Sequence, residues 1–266
     1  MKQALFSVIV PTVGRHDKYL PKLLFNLRNE NRFIGEVIIV RSALRSIFGG
    51  GYRLFFYLMR ILLRLDFDIK VLTCVEQQTA GQNRNNGWQK ARFQFTAFVD
   101  ADDVYHRQRL RIIAELLQDY PYANLILHLY SFSKLNNNYV PLQVSDVIPS
   151  GSIRTSLSAE FRNQSESQLI PGYFNLSAKG YYGETLNIPQ GHATVRTSLR
   201  DLMMYSELQK GEDGLFCSEI LVNYGQVFII SRDLSFYRNF NSSFAPSKTK
   251  KGLLKIRYFI KFIFRK

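Results

Sequence analysis

Three aspartates stand close together where a hydrophobic stretch of the chain ends. Asp100, Asp102 and Asp103 follow the run Phe-Thr-Ala-Phe-Val at residues 95–99. Crowded carboxylates repel one another and stay ionised most readily beside a cation. Such oxygen ligands favour Mg²⁺ or Mn²⁺, which commonly bridge a few carboxylates to substrate phosphates. The cluster therefore predicts a divalent cation site; the alternative is that Asp102 or Asp103 caps a helix that starts at Val104.

A polar segment with one fixed cation lies just before this strand. Residues 79–87 read Thr-Ala-Gly-Gln-Asn-Arg-Asn-Asn-Gly, so short amides and glycines surround Arg84. A flexible glycine turn beside a guanidinium suits contacts with phosphate or ribose. The alternative is an ordinary polar loop whose side chains cap a helix.

The elements that must position these groups follow from the hydrophobic pattern. β-branched runs at residues 6–10 and 37–40 predict buried strands, with leucines at helical spacing between them. This βαβ unit implies a parallel sheet, whose ligands bind beyond the carboxyl ends of the strands, where the aspartates stand. Further strands are predicted at 69–74, 95–99, 124–130 and 226–231, and further helices at 110–117 and 198–208.

Composition narrows the class of protein. The 266 residues carry a formal charge of +14, and 46% of them are hydrophobic, which is enough for a sizeable core. The charge predicts an anionic partner: nucleic acid, an acidic membrane surface or a phosphorylated ligand. Two cysteines without metal-type spacing favour a reducing compartment. The apolar start is too short for a signal peptide and no apolar window could span a bilayer, so we expect a cytoplasmic protein.

Four motifs occur in the order that is typical of family 2 glycosyltransferases, which this sequence resembles. They are residues 6–12 (Phe-Ser-Val-Ile-Val-Pro-Thr), 81–87, 98–103 and Gly-Glu-Asp at 211–213. The resemblance implies an α/β protein of the GT-A fold, doubly wound, with a mostly parallel sheet, helices on both faces and a smaller acceptor-side region. It also implies inverting transfer of one sugar from a nucleotide-diphosphate sugar to a glycan or lipid-linked acceptor in cell-surface polysaccharide synthesis. The expected donor is a UDP-hexose.

On the donor side, the resemblance places Pro11 and Thr12 beside the nucleotide. It places Arg84 near the base or the phosphates, and Asp100 against the ribose or the metal. Members of the family usually carry an acidic pair after the second strand, whereas Arg41 stands there in this chain. Asp66 or Asp68 is predicted to substitute, or Arg41 to contact phosphate instead.

On the metal and acceptor sides, the resemblance makes Asp102 the chief ligand of Mn²⁺ or Mg²⁺. Asp100 would be a further ligand, and Asp103 a ligand or an orienting group. Asp213 would be the base that takes the acceptor hydroxyl proton, with Glu212 as its neighbour; the alternative is that the pair only starts a helix. The chain lacks the Gln-x-x-Arg-Trp sequence of processive synthases, which favours single addition.

The sequence alone does not decide between two roles for His192, nor between two roles for each of the two basic segments. A solitary histidine is more often packed or capping than functional, and we favour that role for His192. Residues 41–65 and 248–266 combine basic with large apolar residues and contain no acidic ones. This pattern predicts helices on an anionic membrane surface, at the inner face of the cell membrane, with a helix docked on the domain as the alternative.

Three parts of the chain are predicted. Residues 1–130 would be the nucleotide-sugar-binding half, residues 131–240 the acceptor-binding and catalytic-base half, and residues 241–266 a basic amphipathic tail. Residues 131–168 are polar and weakly periodic, which predicts a mobile or hairpin region.

Two other functions compete with sugar transfer. A nucleotidyltransferase would carry a glycine-rich basic loop after the first strand, but residues 11–15 hold one glycine. A nucleic-acid-binding module would interleave aromatic and basic residues over a groove. Here the basic residues cluster in two amphipathic stretches and the aspartates would repel phosphate, so we expect no nucleic acid partner.

Overall fold

Residues 4–44, 49–131, 135, 137–157, 174–179, 185–208 and 211–236 are described by a computed structural model of the chain. The predicted helix in the tail, residues 241–266, lies outside these described residues. Within them, no helix combines the length and the apolar character that crossing a bilayer requires.

The described residues form two sheets and five α-helices. The strands are β1 Phe6–Thr12, β2 Ile34–Arg41, β3 Asp68–Thr73, β4 Phe95–Phe98, β5 Val104–Tyr105, β6 Leu125–Ser131, β7 Val147–Pro149, β8 Ile153–Leu157, β9 Phe174–Lys179, β10 Thr185–Ile188, β11 Thr194–Arg196 and β12 Val227–Phe236. The helices are α1 Leu20–Leu27, α2 Gly49–Leu62, α3 Ala80–Trp88, α4 Arg109–Asp119 and α5 Glu212–Asn223.

The large sheet is mixed but mostly parallel in its first half. Its strand order is β3-β2-β1-β4-β11-β6-β12-β5, and β7 also pairs with β12. The β3, β2, β1 and β4 strands run parallel to one another, and β6 runs parallel to β12. The short β11 is antiparallel to β4 and to β6, so it joins the two parallel groups. The predicted doubly wound α/β class is confirmed.

Alternate residues of β1 pack into two separate hydrophobic cores. Val8 and Val10 pack in the core that holds α1, α2 and α4, whereas Ile9 packs in the core that holds α3 and α5. A strand presents successive side chains to opposite faces, so a β-branched run in a central strand is covered on both sides. The helices on the two faces hold the strand ends in place, and the site lies at those ends.

The small sheet begins in the region predicted as mobile or hairpin, residues 131–168, which contains β8, whereas β9 and β10 follow that region. Strands β8, β9 and β10 form an antiparallel sheet in the order β10-β9-β8. Ile153, Leu176 and Ile188 from its three strands are buried in the core beneath α5. Residues 158–173 lie outside the described part of the chain.

The structure corrects two predicted helices. No helix starts at Val104, because β5 pairs antiparallel with the end of β12, and α4 begins only at Arg109. Within the helix predicted at residues 198–208, helical character is limited to a 3-10 turn, Thr197–Asp201. The chain then extends because the amide side chain of Asn85 bonds both backbone groups of Tyr205, at 2.8 Å each. In both places tertiary pairing overrides local propensity.

Candidate active site

The aspartate cluster lies in the turn between β4 and β5, at the carboxyl end of β4. The amide of Asp103 donates to the carbonyl of Asp100 at 3.3 Å, and the Tyr105 hydroxyl donates to the same carbonyl at 2.9 Å. The Asp100 side chain is 28% exposed and that of Asp103 is 5% exposed. The turn therefore fixes one accessible and one buried carboxylate beside each other.

His192 reaches this cluster from the segment that precedes β11. Its Nε2 lies 3.2 Å from Asp103 Oδ2 and 3.6 Å from Asp100 Oδ2. On the other side of the ring, Nδ1 lies 3.0 Å from the Ser235 hydroxyl. The imidazole is buried and stacks on Tyr130, with 4.6 Å between the ring centroids. It is thus a packed residue, as favoured from the sequence, and it also aims a nitrogen at two carboxylates.

These three side chains fit a divalent cation. One ligand atom each from Asp100, Asp103 and His192 lies within 4.8 Å of the others. Two carboxylate oxygens and one imidazole nitrogen suit Mn²⁺ better than Mg²⁺, which prefers oxygen ligands alone. Asp102, the predicted chief ligand, is not in this group; its Oδ2 faces His16 Nε2 at 3.7 Å.

Arg84 links the aspartate cluster to the other half of the chain. Its Nη2 donates to Asp100 Oδ1 at 3.1 Å and its Nη1 donates to Glu212 Oε1 at 2.8 Å. The guanidinium also lies over the Tyr205 ring, 5.3 Å from its centroid. Its side chain is 4% exposed. Both terminal nitrogens are therefore bound to carboxylates, whereas the sequence prediction directed them at the base or phosphates.

Helix α3 places Arg84, although the sequence predicted a loop there. Thr79 and Gln82 form a reciprocal capping box at its start, which satisfies two backbone amides. A Cβ at Gly81 would lie 2.5 Å from the Ser206 carbonyl, and one at Gly87 would lie 2.5 Å from Ile9. The two glycines thus serve close packing rather than a flexible turn.

Asp213 and Glu212 are the first two residues of α5, after Gly211 in the left-handed conformation. Asp213 Oδ1 accepts a hydrogen bond from the Gly214 amide at 2.9 Å. A Cβ built on Gly191 would lie 3.6 Å from Asp213 Oδ2 and 3.7 Å from Asp100 Oδ2. Both carboxylates therefore lie beside Gly191, and the Glu212–Asp213 pair starts the helix as well.

Burial and Arg84 set the charge states of these acids. Burial alone would raise the pKa of Asp100, but Arg84 and His192 outweigh it and hold that pKa well below its ordinary value. For Glu212, burial outweighs the attraction of Arg84, and its pKa is raised. Asp100 is therefore anionic at neutral pH, which is the state that binds a cation.

The ends of β1 and β2 form the neighbouring edge of the site. Pro11 and Thr12 are buried at the end of β1, and Thr12 pairs in register with Arg41 of β2. Arg41 Nε bonds to both oxygens of Asp17, at 3.0 and 3.1 Å, and the Tyr52 hydroxyl donates to Asp17 at 2.8 Å. An acid is thus present beside Arg41, but it comes from the turn after β1.

Asp68 cannot supply the acid predicted after the second strand. It is the first residue of β3, whereas the site lies where the parallel strands end. There it bonds to Arg60 at 3.0 Å and to Arg92 at 3.2 Å. Asp66 precedes the same strand start. The acid that the structure places at this edge is Asp17. No local signal in the sequence marks it, because its contact with Arg41 joins two elements.

A family model and solved structures match the chain. The model described as "Glycosyl transferase family 2" matches residues 57–203, more than half of the chain. That range includes the aspartates, Arg84 and His192, and it ends before Glu212. No curated protein matches.

Solved glycosyltransferase structures share the fold. S. aureus TarS 1-349 in complex with UDP-GlcNAc matches with a TM-score of 0.57 at 20% identity, over 90% of this chain and 60% of that chain. The mannosyltransferase PcManGT from Pyrobaculum calidifontis, in complex with GDP-Man and Mn²⁺, has a TM-score of 0.52 at 16% identity, over 87% and 56%. The chain therefore spans about 60% of the length of TarS 1-349, and the likeness confirms the predicted GT-A fold.

Proposed function

Because the chain belongs to glycosyl transferase family 2, we propose that it transfers one sugar from a nucleotide-diphosphate sugar to a hydroxyl of a glycan or lipid-linked acceptor. The observation that carries this proposal is that Asp100, Asp103 and His192 converge, while Asp100 and Asp213 both lie beside Gly191. UDP-GlcNAc in TarS and GDP-Man in PcManGT support a donor of this class.

The donor diphosphate would bind at the carboxyl end of β4. Asp100, Asp103 and His192 would hold a divalent cation there, Mn²⁺ in preference to Mg²⁺. When bound, such a cation neutralises the charge that develops on the departing diphosphate. Arg84 acts through Asp100, because it keeps that carboxylate ionised and fixes its orientation.

Asp213 would accept the proton of the acceptor hydroxyl. As the proton leaves, the acceptor oxygen forms a bond to the anomeric carbon of the donor sugar. The bond from that carbon to the phosphate oxygen breaks, and its electron pair leaves with the nucleotide diphosphate. The anomeric centre inverts because attack and departure occur on opposite faces. Glu212 is bonded to Arg84, so Asp213 is the acid of the pair that lies beside Gly191 and Asp100.

A donor screen tests this proposal directly. Nucleotide sugars, including UDP-GlcNAc and GDP-Man, are added to the full chain with Mn²⁺, and thermal stability and diphosphate release are measured. A donor at about 100 times its Kd should stabilise the fold by about 2.7 kcal/mol. Neither stabilisation nor release with any nucleotide sugar would overturn the proposal.

Asp213→Asn separates the base from the donor site. The variant should bind the donor as the parent chain does, because an amide of the same shape leaves the donor side unchanged. Turnover should fall by about 10²–10⁴-fold, the usual contribution of a positioned base. Loss of donor stabilisation in this variant would assign Asp213 to the donor side instead.

A further inference from the structure

The outward side of α2 carries a stripe of large apolar side chains. Leu54, Tyr57, Leu58, Ile61 and Leu62 are each between 52% and 59% exposed. Their spacing of three and four residues aligns them along one side of the helix. Scattered exposed apolar residues are ordinary, but a contiguous row of five marks an interaction surface.

The helix does not need this stripe in order to pack on the sheet. Its opposite side is already anchored, because Phe56 and Met59 are 1% and 3% exposed and lie in the core with α1 and α4. Tyr52 and Phe55 pack against the same core from the flank. The stripe is therefore an additional apolar surface, which we call the α2 stripe.

Arginines border the α2 stripe along one side. Arg53 and Arg60 are separated by seven residues, or two helical turns, which places them on one line beside the apolar row. Arg64 follows in the turn after the helix ends at Leu62. Arg53 and Arg64 are exposed, whereas Arg60 bonds to Asp68 at 3.0 Å. Residues 41–65 contain no aspartate or glutamate. An apolar row with a cationic border is complementary to a surface in which an anionic outer layer covers an apolar inner layer.

We propose that the α2 stripe docks on an anionic lipid bilayer, with its apolar side chains in the headgroup–acyl boundary and its arginines against lipid phosphates. A second copy fits less well, since each chain carries +14 and pairing would oppose two cationic borders. The tail fits less well for the same reason, because residues 248–266 contain eight basic residues and no acid.

The docked helix would stand next to the candidate site. The Tyr52 hydroxyl, in the first turn of α2, donates to Asp17, which pairs with Arg41 at the end of β2. The helix thus begins at the same edge of the sheet where the aspartates lie. Docking would place the candidate site beside the bilayer, but the lipid contact does not depend on the proposed sugar transfer.

A fluorescent reporter on the stripe tests the contact in the full chain. The sequence has one tryptophan, Trp88, which is fully buried and gives a constant background. In Leu58→Trp, phosphatidylglycerol vesicles should shift the emission to the blue, and lipids brominated on their acyl chains should quench it. Leu202→Trp is the matched control, because Leu202 is 65% exposed outside the stripe and its tryptophan should not respond.

Three outcomes would overturn the proposal. One is sedimentation of Leu58→Trp with the vesicles without quenching of the new tryptophan, which would mean that another surface docks. The second is equal quenching of both reporters. The third is a concentration-dependent blue shift without vesicles, which would make the stripe an interface between copies.

Charge insertion gives an independent measurement. Leu58→Glu with Ile61→Glu should lower the partition coefficient on phosphatidylglycerol vesicles by roughly tenfold or more, since both side chains would leave the lipid. The melting temperature should stay unchanged because both sites are exposed. Leu202→Glu with Val222→Glu is the matched pair and should bind as the parent does; equal partition of both doubles would overturn the proposal.

Discussion

Gly191 is the residue beside which Asp213 and Asp100 approach each other. A Cβ there would stand 3.6 Å from Asp213 Oδ2, 3.7 Å from Asp100 Oδ2 and 3.7 Å from the Tyr130 hydroxyl. These are ordinary contact distances, so a single methyl group fits without displacing any neighbour. A branched side chain would instead occupy the space between the carboxylates of Asp213 and Asp100.

Gly191→Val should therefore lower turnover by about 100-fold while the fold persists, because a displacement of about 1 Å between reacting groups has that effect. Gly191→Ala should retain most activity. Diphosphate release and melting temperature are measured together. Gly151→Val serves as the control, since no atom lies within 4 Å of a Cβ at that position. Full activity in Gly191→Val would show that the reacting atoms do not lie beside Gly191.

The contacts of Arg84 require a guanidinium group, because two of its nitrogens bond two different carboxylates, those of Glu212 and Asp100. Arg84→Lys offers one nitrogen and leaves one buried acid without its partner. We expect a loss of about 1–3 kcal/mol in the free energy of unfolding, measured by urea denaturation. Arg92→Lys is the matched change, since Arg92 also bonds two carboxylates but its side chain is 54% exposed. A comparable loss in both variants would contradict the importance of burial at Arg84.

Single residues are the scale at which the sequence is least informative about the site. The three aspartates follow a recognisable strand and were predicted together. His192 was assigned to packing because nothing near it in the sequence distinguishes a ligand from a core histidine. Its approach to Asp103 depends on β11 being inserted antiparallel beside β4, and that pairing has no local signature.

At the scale of elements, α4 begins on a buried acid from another part of the chain. Glu30 Oε1 accepts hydrogen bonds from the amides of Leu110 and Arg111 in the first turn of α4. Burial raises the pKa of Glu30 to about 8, against the opposing effect of those hydrogen bonds and of Arg109. The folded chain thus keeps a proton that the unfolded chain releases near its ordinary pKa of 4.5.

This difference predicts how stability depends on pH. The contribution of Glu30 is fully present below about pH 4.5 and is lost as the pH rises to about 8. Across that window the free energy of unfolding should fall by about 1.4 kcal/mol per pH unit because of this group. In Glu30→Gln the amide oxygen accepts the same hydrogen bonds without titrating. Urea denaturation at pH 5.5 and 7.5 should therefore show a smaller loss in the variant; equal losses would exclude Glu30 as the cause.

Elements with a clear hydrophobic period were predictable, and α3 was not. The strands β1, β2 and β4 and the leucines of α1 follow the expected spacing because each buries a regular face. Helix α3 buries Gly81, Asn83, Arg84, Gly87 and Trp88, which are mostly polar or small and carry no apolar stripe. Its burial depends on partners more than 100 residues away, such as Glu212 and Tyr205.

At the scale of the whole molecule, the site joins segments that are distant in sequence. Asp100 comes from the turn after β4, His192 from the segment before β11, and Ser235 behind it from β12. A ligand that binds only this assembled arrangement stabilises the whole fold, by RT ln(1 + [L]/Kd). The stability of the chain with and without a divalent cation therefore tests which residues would hold it.

Mn²⁺ should raise the melting temperature of the full chain more than Mg²⁺ does, because in the proposed site His192 would supply a nitrogen ligand. At about 100 times its Kd the stabilisation would be about 2.7 kcal/mol, and a chelator should reverse it. Asp103→Asn should lose this shift, since it removes one of the three converging ligands. Asp102→Asn should keep it, because Asp102 faces His16 rather than the cluster. In the opposite pattern, the shift is lost in Asp102→Asn and kept in Asp103→Asn. That result would make Asp102 the chief ligand, as the sequence resemblance predicts. Asp103 and His192 would then be packed side chains without a role in cation binding.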